Sequence, residues 1–233
     1  MSSFSQSRLA ARLQDMVSRR REEAGLYGEI AAQVPLPERG RVLDVGTGSG
    51  LQLRVIHRLR PHVELFGLDV SVASIAVAQR NLTGMEVDLR VGSIDQGPYD
   101  DDFFDVVTCN ASMSYWQDPI GCFNEIDRIL KPGGTAVLFE PQKDIDMDQV
   151  VVTIKANLAD QSPLRRFLAV SLNKFGLRWG GLLGLRLRSV EELDALAKAS
   201  SFGPNVSIDR VTLQNLPIFA RITLRKPAAP SME

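Results

Sequence analysis

The sequence RVLDVGTGSG, at positions 41–50, decides the fold of this chain. Residues 41–45 form an apolar run that predicts a β-strand, and the three glycines that follow predict a tight turn. Because glycine reaches positive φ and carries no Cβ, a ligand can approach the backbone of such a turn closely. A helix is predicted directly afterwards, over residues 51–60. Strand, glycine turn and helix together are typical of nucleotide binding at the carboxyl edge of a doubly wound sheet.

The rest of the central region alternates short β-branched runs with helical patterns, which predicts βαβ units and a parallel sheet. A proline and two glycines at positions 132–134 are expected to separate the last of these helices from the strand after it. The predicted strands cover residues 63–68, 87–91, 104–109 and 135–140, and the predicted helices cover residues 71–82 and 120–130.

Beyond Pro141 the pattern changes to a long stretch that is helical in character, which we interpret as a lid. Ser189 and Glu192 then predict a capping box at the start of another helix, and two strand-like runs follow at Val206–Leu213 and 218–225. The predicted organisation is a helical N-terminal cover at 1–34, a ligand-binding core at 35–141, a helical lid at 142–188, a final helix with two strands at 189–226, and a disordered tail at 227–233.

Composition excludes several classes of function. The net charge of −1 provides no field that would favour nucleic acid or an anionic membrane. Two cysteines and two histidines lack the number and spacing of a disulfide framework or a zinc site, so we predict a cytoplasmic protein with no metal. No apolar run approaches the roughly 18 residues that a membrane span needs, and the N-terminus lacks the apolar region of a secretory signal.

Polar side chains that suit a ligand follow four of the predicted strands. Asp44 precedes a G-x-G-x-G turn that differs from the G-x-G-x-x-G turn of dinucleotide folds, and it could accept a ligand's ammonium. Asp69 could accept hydrogen bonds from ribose hydroxyls, with a simple turn aspartate as the alternative. Ser93 and Asn110 follow the third and fourth strands. Carboxyl ends of parallel strands share one edge, which predicts a single ligand pocket there.

Four motifs resemble, in order and spacing, those of the class I S-adenosylmethionine-dependent methyltransferases. They are VLDVGTGSG at 42–50, GLDVS at 67–71, GSIDQGPYDDDFFDVV at 92–107 and EIDRILKPGG at 125–134. The resemblance covers about residues 35–141. It implies S-adenosylmethionine as cofactor and an α/β fold with a doubly wound, mostly parallel sheet of seven strands, of which the seventh is antiparallel, covered by the helical lid.

The same resemblance assigns site residues. Asp44, Gly46 and Gly48 would line the methionine part of the cofactor, Asp69 would hold the ribose, Ser93 and Ile94 would frame the adenine, and Asn110 would lie beside the sulfonium, with Thr47 and Val70 as further cofactor contacts. Two departures stand out: Ser93 occupies a position where the family often has aspartate, and the histidine pair of many small-molecule members is absent from residues 113–116.

The implied reaction is transfer of the methyl group to a small-molecule acceptor by in-line displacement, in which positioning alone is worth roughly 7–11 kcal/mol. Some acceptors need a general base. Tyr115 and Glu140 are the catalytic candidates, although Tyr115 could be a packed wall residue and Glu140 a strand end. Asp118 is a third candidate, with a helix cap as its alternative.

The acceptor is not specified by the sequence. Residues 141–188 contain eight basic and four acidic side chains, which favours either an anionic substrate or a solvated surface. An apolar stripe at Leu164, Phe167, Leu168, Val170, Leu172 and Phe175 favours an aromatic or lipid-like acceptor, or else a dimer contact. The alternatives are a nicotinamide-dependent oxidoreductase, a methyltransferase of RNA or protein, and a catalytically silent partner subunit. We predict no nucleic acid partner.

Overall fold

The computed structural model describes residues 8–23, 25–157 and 186–229. Within them, α-helices and β-strands alternate along the central region as the sequence predicts. The helices are α1 (Arg8–Glu23), α2 (Leu26–Ala31), α3 (Leu51–Leu59), α4 (Val72–Asn81), α5 (Pro119–Ile129), α6 (Met147–Asn157) and α7 (Val190–Lys198). The strands are β1 (Gly40–Val45), β2 (Val63–Asp69), β3 (Val87–Val91), β4 (Phe104–Asn110), β5 (Leu130–Pro141), β6 (Val206–Leu213) and β7 (Leu216–Arg225).

The strands form one seven-stranded sheet in the order β3-β2-β1-β4-β5-β7-β6. The pairs β3–β2, β2–β1, β1–β4 and β4–β5 are parallel. Strand β7 is antiparallel to both β5 and β6, so six strands run one way and β7 runs against them. This order reverses between β1 and β4, which is the switch point where such sheets bind ligands. The predicted doubly wound α/β fold is confirmed.

Helices cover both faces of the sheet because successive strand residues point to opposite sides. On β1, Val42 belongs to an apolar cluster shared with α2, α3 and α4, whereas its neighbour Leu43 belongs to a second cluster shared with α5 and α7. Both side chains are fully buried. Near-continuous apolar strands are what a parallel sheet with two covered faces requires.

Local signals at the helix ends are confirmed. The Ser71 side chain accepts a hydrogen bond from Ser74 N and caps α4. Ser189 and Glu192 form the complete capping box of α7, with Glu192 N donating to Ser189 Oγ at 3.1 Å and Ser189 N donating to the Glu192 carboxylate at 2.8 Å. Asp118 accepts from Gly121 N at the start of α5, so the cap is its structural role.

Two strand boundaries differ from the prediction. Strand β5 begins at Leu130, directly after α5, and the expected loop at residues 131–134 is an irregularity inside the strand, because Phe104 pairs with Leu130 while Val106 pairs with Thr135. The Lys131 ammonium fixes this stretch by pairing with Asp105 at 2.7 Å. Strand β7 begins at Leu216 because two turn residues at positive φ join it closely to β6.

The N-terminal cover and the lid are described in part. Helix α1 lies within the predicted N-terminal cover, and α2, which the sequence did not predict, packs its buried face into the cluster around α3. Helix α6 lies within the predicted lid. The apolar stripe of the predicted lid, at residues 164–175, lies outside the described residues, as does the end of the tail. Among the described helices, each is too short or too polar to cross a bilayer.

Candidate cofactor and substrate site

The glycine turn after β1 lies at the carboxyl edge of the sheet. Gly46 and Gly48 have φ values of +71° and +56°, which β-branched or bulky residues avoid. Gly46 N and Thr47 N both donate to Leu68 O, at 2.7 and 3.0 Å, and so fasten the turn to the end of β2. The turn therefore has one defined conformation before any ligand arrives.

Gly46 is also required for packing. A Cβ on Gly46 would lie 2.3 Å from Ser112 Oγ, because the segment that follows β4 crosses directly over the turn. Ser112 Oγ donates to Val45 O at 3.2 Å, which fixes this crossing. Ser112 was missed by the sequence analysis, since nothing in its local pattern indicates a contact with residues almost seventy positions earlier.

Asp69 ends β2 and contacts the glycine turn. Its Oδ2 accepts a hydrogen bond from Gly48 N at 2.9 Å and its Oδ1 accepts one from Ser71 N at 2.8 Å. Burial raises the pKa of Asp69, while these two bonds lower it. Each carboxylate oxygen can accept more than one hydrogen bond. The structure thus brings Asp69 and the glycine turn together, with capacity left for a ligand's hydroxyls.

Asp44 is the most deeply buried acid of the turn, with 2% of its surface exposed. Thr108 Oγ1 on β4 donates to its Oδ1 at 2.9 Å. Burial raises the pKa of Asp44 to about 7, against the lowering effect of the Thr108 hydrogen bond. A cationic ligand group would restore the charged form, because an opposite charge nearby favours ionisation.

The ends of β3 and β4 supply the remaining predicted contacts. Gly92 N donates to Asp69 O at 3.0 Å, which holds the segment after β3 beside Asp69. Ser93 is half-buried there, while the Ile94 side chain lies in the core. At the end of β4, Asn110 Oδ1 is buried and has no hydrogen-bond partner among the described residues. Such an oxygen is costly unless a ligand or water donates to it.

Glu140, on β5, holds the segment after β4 in place. Its Oε1 accepts from Ser112 N and Met113 N, each at 2.8 Å, and its Oε2 accepts from Ser114 Oγ at 3.0 Å. Burial raises the pKa of Glu140 to about 7, although the three hydrogen bonds lower it. Because both oxygens are engaged inside the protein, the geometry is that of a residue that positions its neighbours.

Tyr115 lies on the same segment, in a short 3-10 helix at Met113–Tyr115. Its side chain is 40% exposed, so it is not a packed wall residue. Burial, followed by the charge of Glu140, raises the pKa of the Tyr115 phenol, which keeps its proton near neutral pH. The next residue, Trp116, is buried and packs edge-on against Phe123 with ring centroids 5.7 Å apart.

Helix α1 lies over the glycine turn. A Cβ on Gly48 would lie 2.9 Å from Gln14 Nε2, so this side chain reaches the turn itself. Asn81 Nδ2 donates both to Asp15 on α1 and to Ser49 O in the turn, at 2.8 and 2.9 Å. The sequence pattern predicted a helical cover and none of these contacts. Between α1 and α4 lies a groove of about 390 Å³, lined by residues of both helices.

Comparison with known proteins identifies the region that carries this site. Residues 43–138 match the family model described as a methyltransferase domain. Over this region, which is less than half of the chain, the sequence is therefore similar to a methyltransferase domain. The described part of the chain groups no three His, Cys, Asp or Glu side chains as metal ligands. The described residues at the candidate site contribute backbone groups, carboxylates and polar side chains.

Curated relatives match the same domain. A ubiquinone/menaquinone biosynthesis C-methyltransferase of Desulfotalea psychrophila is 30% identical over 119 residues, covering 50% of this chain and 48% of the relative. A ubiquinone biosynthesis O-methyltransferase of Xanthomonas campestris is 36% identical over 110 residues, covering 47% and 46%. The chain thus spans about half the length of these curated relatives.

Solved structures match over a longer range. The methyltransferase solved in complex with the Trm112 activator of Haloferax volcanii has a TM-score of 0.70 and 18% sequence identity. The match covers 99% of this chain and 100% of the other. At this identity the likeness shows that the two chains share a fold.

Proposed function

We propose that this protein transfers the methyl group of S-adenosylmethionine to a small-molecule acceptor. One observation carries the proposal: the Asp69 carboxylate and the glycine turn, joined by the 2.9 Å hydrogen bond from Gly48 N, lie at the carboxyl edge of the methyltransferase domain. An acid at this point is placed to accept hydrogen bonds from ribose hydroxyls. An acid at this point would also hold the ribose of a nicotinamide cofactor, so the match of residues 43–138 to a methyltransferase domain is what favours S-adenosylmethionine. The match also favours an active enzyme over a silent partner subunit.

The residues present fit the cofactor. We assign its ammonium to the buried Asp44 with Gly46, Thr47 and Gly48 around the methionine part, since a cation there offsets the cost of burying the carboxylate. The partnerless Asn110 Oδ1 suits the sulfonium or the ammonium beside it. The remaining assignments are Asp69 and Val70 to the ribose, and Ser93 and Ile94 to the adenine.

The bound cofactor supplies a methyl group on a sulfonium, which is a good leaving group. The protein's task is then to hold the acceptor in line, exclude water and accept a proton where the acceptor carries one. We propose Tyr115 as the catalytic residue that contacts the acceptor, because 40% of its surface is exposed on the segment that follows β4. Glu140 is the other catalytic candidate. We propose that it positions residues 112–114 and does not act as a base, because its hydrogen bonds to them engage both carboxylate oxygens.

The acceptor is proposed to be small, aromatic or lipid-like. Support comes from the curated relatives, whose names refer to ubiquinone and menaquinone biosynthesis, and from the apolar stripe of the lid sequence. The two buried free cysteines fit a reducing compartment, and we propose the cytoplasm as the location.

Calorimetry with S-adenosylhomocysteine and, separately, with NAD tests the proposal on the full chain. We expect saturable binding of S-adenosylhomocysteine only. Asp69→Ala should weaken this binding at least tenfold, the loss expected for hydrogen bonds to a charged group, while the circular dichroism spectrum persists. Asp100→Ala, which removes an exposed acid, is the matched control. Binding of NAD in place of S-adenosylhomocysteine, or an unchanged affinity in Asp69→Ala, would refute the assignment.

A further inference from the structure

Arg188 lies beside the carboxyl end of β5, two residues before the start of α7. It forms an isolated parallel bridge with Gln142, which continues β5 beyond its last residue, and Lys143 N donates to Arg188 O at 3.0 Å. Two positions earlier, Arg186 N donates to Ser114 O at 3.0 Å. The backbone of residues 186–188 is thereby fixed between the end of β5 and the segment that carries Tyr115.

The guanidinium of Arg188 is half-buried and forms no ion pair within the described part of the chain. Burial lowers the pKa of Arg188, and the attraction of Glu140 does not restore it, because Arg186 adds repulsion from the other side. Arg188 Nη1 donates to Arg186 O at 3.3 Å, but this neutral acceptor does not offset the positive charge. A half-buried cation without a counter-charge costs free energy, and proteins normally pair such a group. An anion bound to the Arg188 guanidinium would therefore stabilise the folded protein.

The acids near Arg188 are engaged elsewhere. Glu140 uses both carboxylate oxygens to hold residues 112–114. Glu192 receives the Lys143 ammonium at 2.6 Å and Ser189 N at 2.8 Å. With these acids engaged, the Arg188 guanidinium has no counter-charge within the described part of the chain.

We propose that Arg188, with Arg186 beside it, binds an anionic oxygen group of the methyl acceptor, either a carboxylate or a phosphate. The inference rests on the proposed methyl transfer and narrows its substrate class to anionic acceptors. A guanidinium presents a planar fork of donors that matches both groups. Arg186 N donates to Ser114 O, next to Tyr115 in sequence, so the two arginines lie on the side of the site that we assign to the acceptor, while Asp44 and Asp69 are assigned to the cofactor.

The test uses thermal unfolding of the full chain, with and without saturating S-adenosylhomocysteine. Malonate and inorganic phosphate are titrated separately, and sodium chloride keeps the ionic strength constant. We expect one of the two anions to raise the unfolding temperature with saturation, which distinguishes a carboxylate from a phosphate. Arg188→Gln should raise the half-saturating concentration about tenfold or more, the loss expected for hydrogen bonds between charged groups.

Two variants serve as controls. Arg188→Lys keeps the charge but not the fork, and it should respond between the wild type and Arg188→Gln. Arg225→Gln removes an exposed arginine at the opposite end of the sheet, where Arg225 of β7 lies opposite Thr135 of β5 in the strand register. This variant should respond as the wild type does. Without the anion, Arg188→Gln should unfold at or above the wild-type temperature, because a poorly solvated cation has been removed.

An equal response in Arg188→Gln and the wild type would indicate an adventitious anion effect and would overturn the inference, as would no response to either anion. Failure of the proposed function has a different signature. In that case S-adenosylhomocysteine does not raise the unfolding temperature, while the anion titration without it still reports on Arg188.

Discussion

Replacing Glu140 with glutamine should make the protein more resistant to unfolding at alkaline pH than the wild type. Glu140 is a carboxyl group with 2% exposure whose pKa is about 7, against an ordinary value of 4.5. Glutamine has the shape of the protonated acid. Its oxygen can accept from Ser112 N and Met113 N, and its amide can donate to Ser114 Oγ, so all three hydrogen bonds have a counterpart.

The direction in which stability changes with pH follows from which state, folded or unfolded, holds the proton. A pKa raised by folding means that the folded protein keeps a proton that the unfolded chain releases, so the wild type loses stability as pH rises from 4.5 through 7. One unit of pKa corresponds to about 1.4 kcal/mol, and most of this shift takes effect between pH 5 and pH 8. The stability of Glu140→Gln relative to the wild type should therefore rise by about 2.5 kcal/mol across that interval.

Urea unfolding followed by tryptophan fluorescence measures this difference, because Trp116 is buried against Phe123. Both proteins are unfolded at pH 5, 6, 7 and 8, and the free energies are extrapolated to zero urea. Glu86→Gln is the control, since Glu86 is exposed and has no ion pair within the described residues. If the difference between Glu140→Gln and the wild type stays constant from pH 5 to pH 8, Glu140 does not bury a charge and the reasoning is wrong.

Three further predictions follow from the site. Affinity for S-adenosylhomocysteine should rise about tenfold between pH 6 and pH 8, because Asp44, with a pKa of about 7, becomes ionised; calorimetry on wild type and Asp44→Asn checks this. Gly46→Ala should destabilise the fold by about 2–4 kcal/mol in urea unfolding, and adding Ser112→Gly should recover part of the loss, since Ser112 Oγ would lie 2.3 Å from the new Cβ. Burial raises the pKa of Cys109 and Cys122, so both should react with Ellman's reagent at pH 8 only in denaturant; rapid reaction of the native protein would contradict the packing.

Much of the fold was predictable because its signals are local. Strand β3 matches the predicted residues 87–91, and the capping box at Ser189 begins α7 as expected. The doubly wound sheet was predicted from the glycine turn and the alternation of patterns, and its seven strands were implied by the family motifs. Boundaries failed where pairing overrides local preference: the Lys131–Asp105 ion pair and the pairing of Phe104 with Leu130 extend β5 through a proline and two glycines.

The site was predictable only where the ligand leaves a pattern in the sequence. Asp44 and Asp69 follow strands at the spacing of a known motif, and the structure joins Asp69 to the glycine turn. Contacts between distant segments leave no such pattern. The contacts of Ser112 with Gly46 and of residues 112–114 with Glu140 depend on the order of strands in the sheet. The contact of Gln14 with Gly48 depends on where α1 packs. Only the folded chain reveals either.

The contact between Gly46 and Ser112 changes how the glycine motif is understood. A glycine at this position is usually attributed to the ligand, yet here the segment after β4 already fills the space that a Cβ would need. That segment is held by Glu140 from β5 and carries Tyr115. The turn that we propose to bind the cofactor is therefore packed, through Ser112, against the segment that carries the residue proposed to face the acceptor. A change at Gly46 should disturb both halves of the proposed reaction, because Ser112 joins the turn directly to this segment.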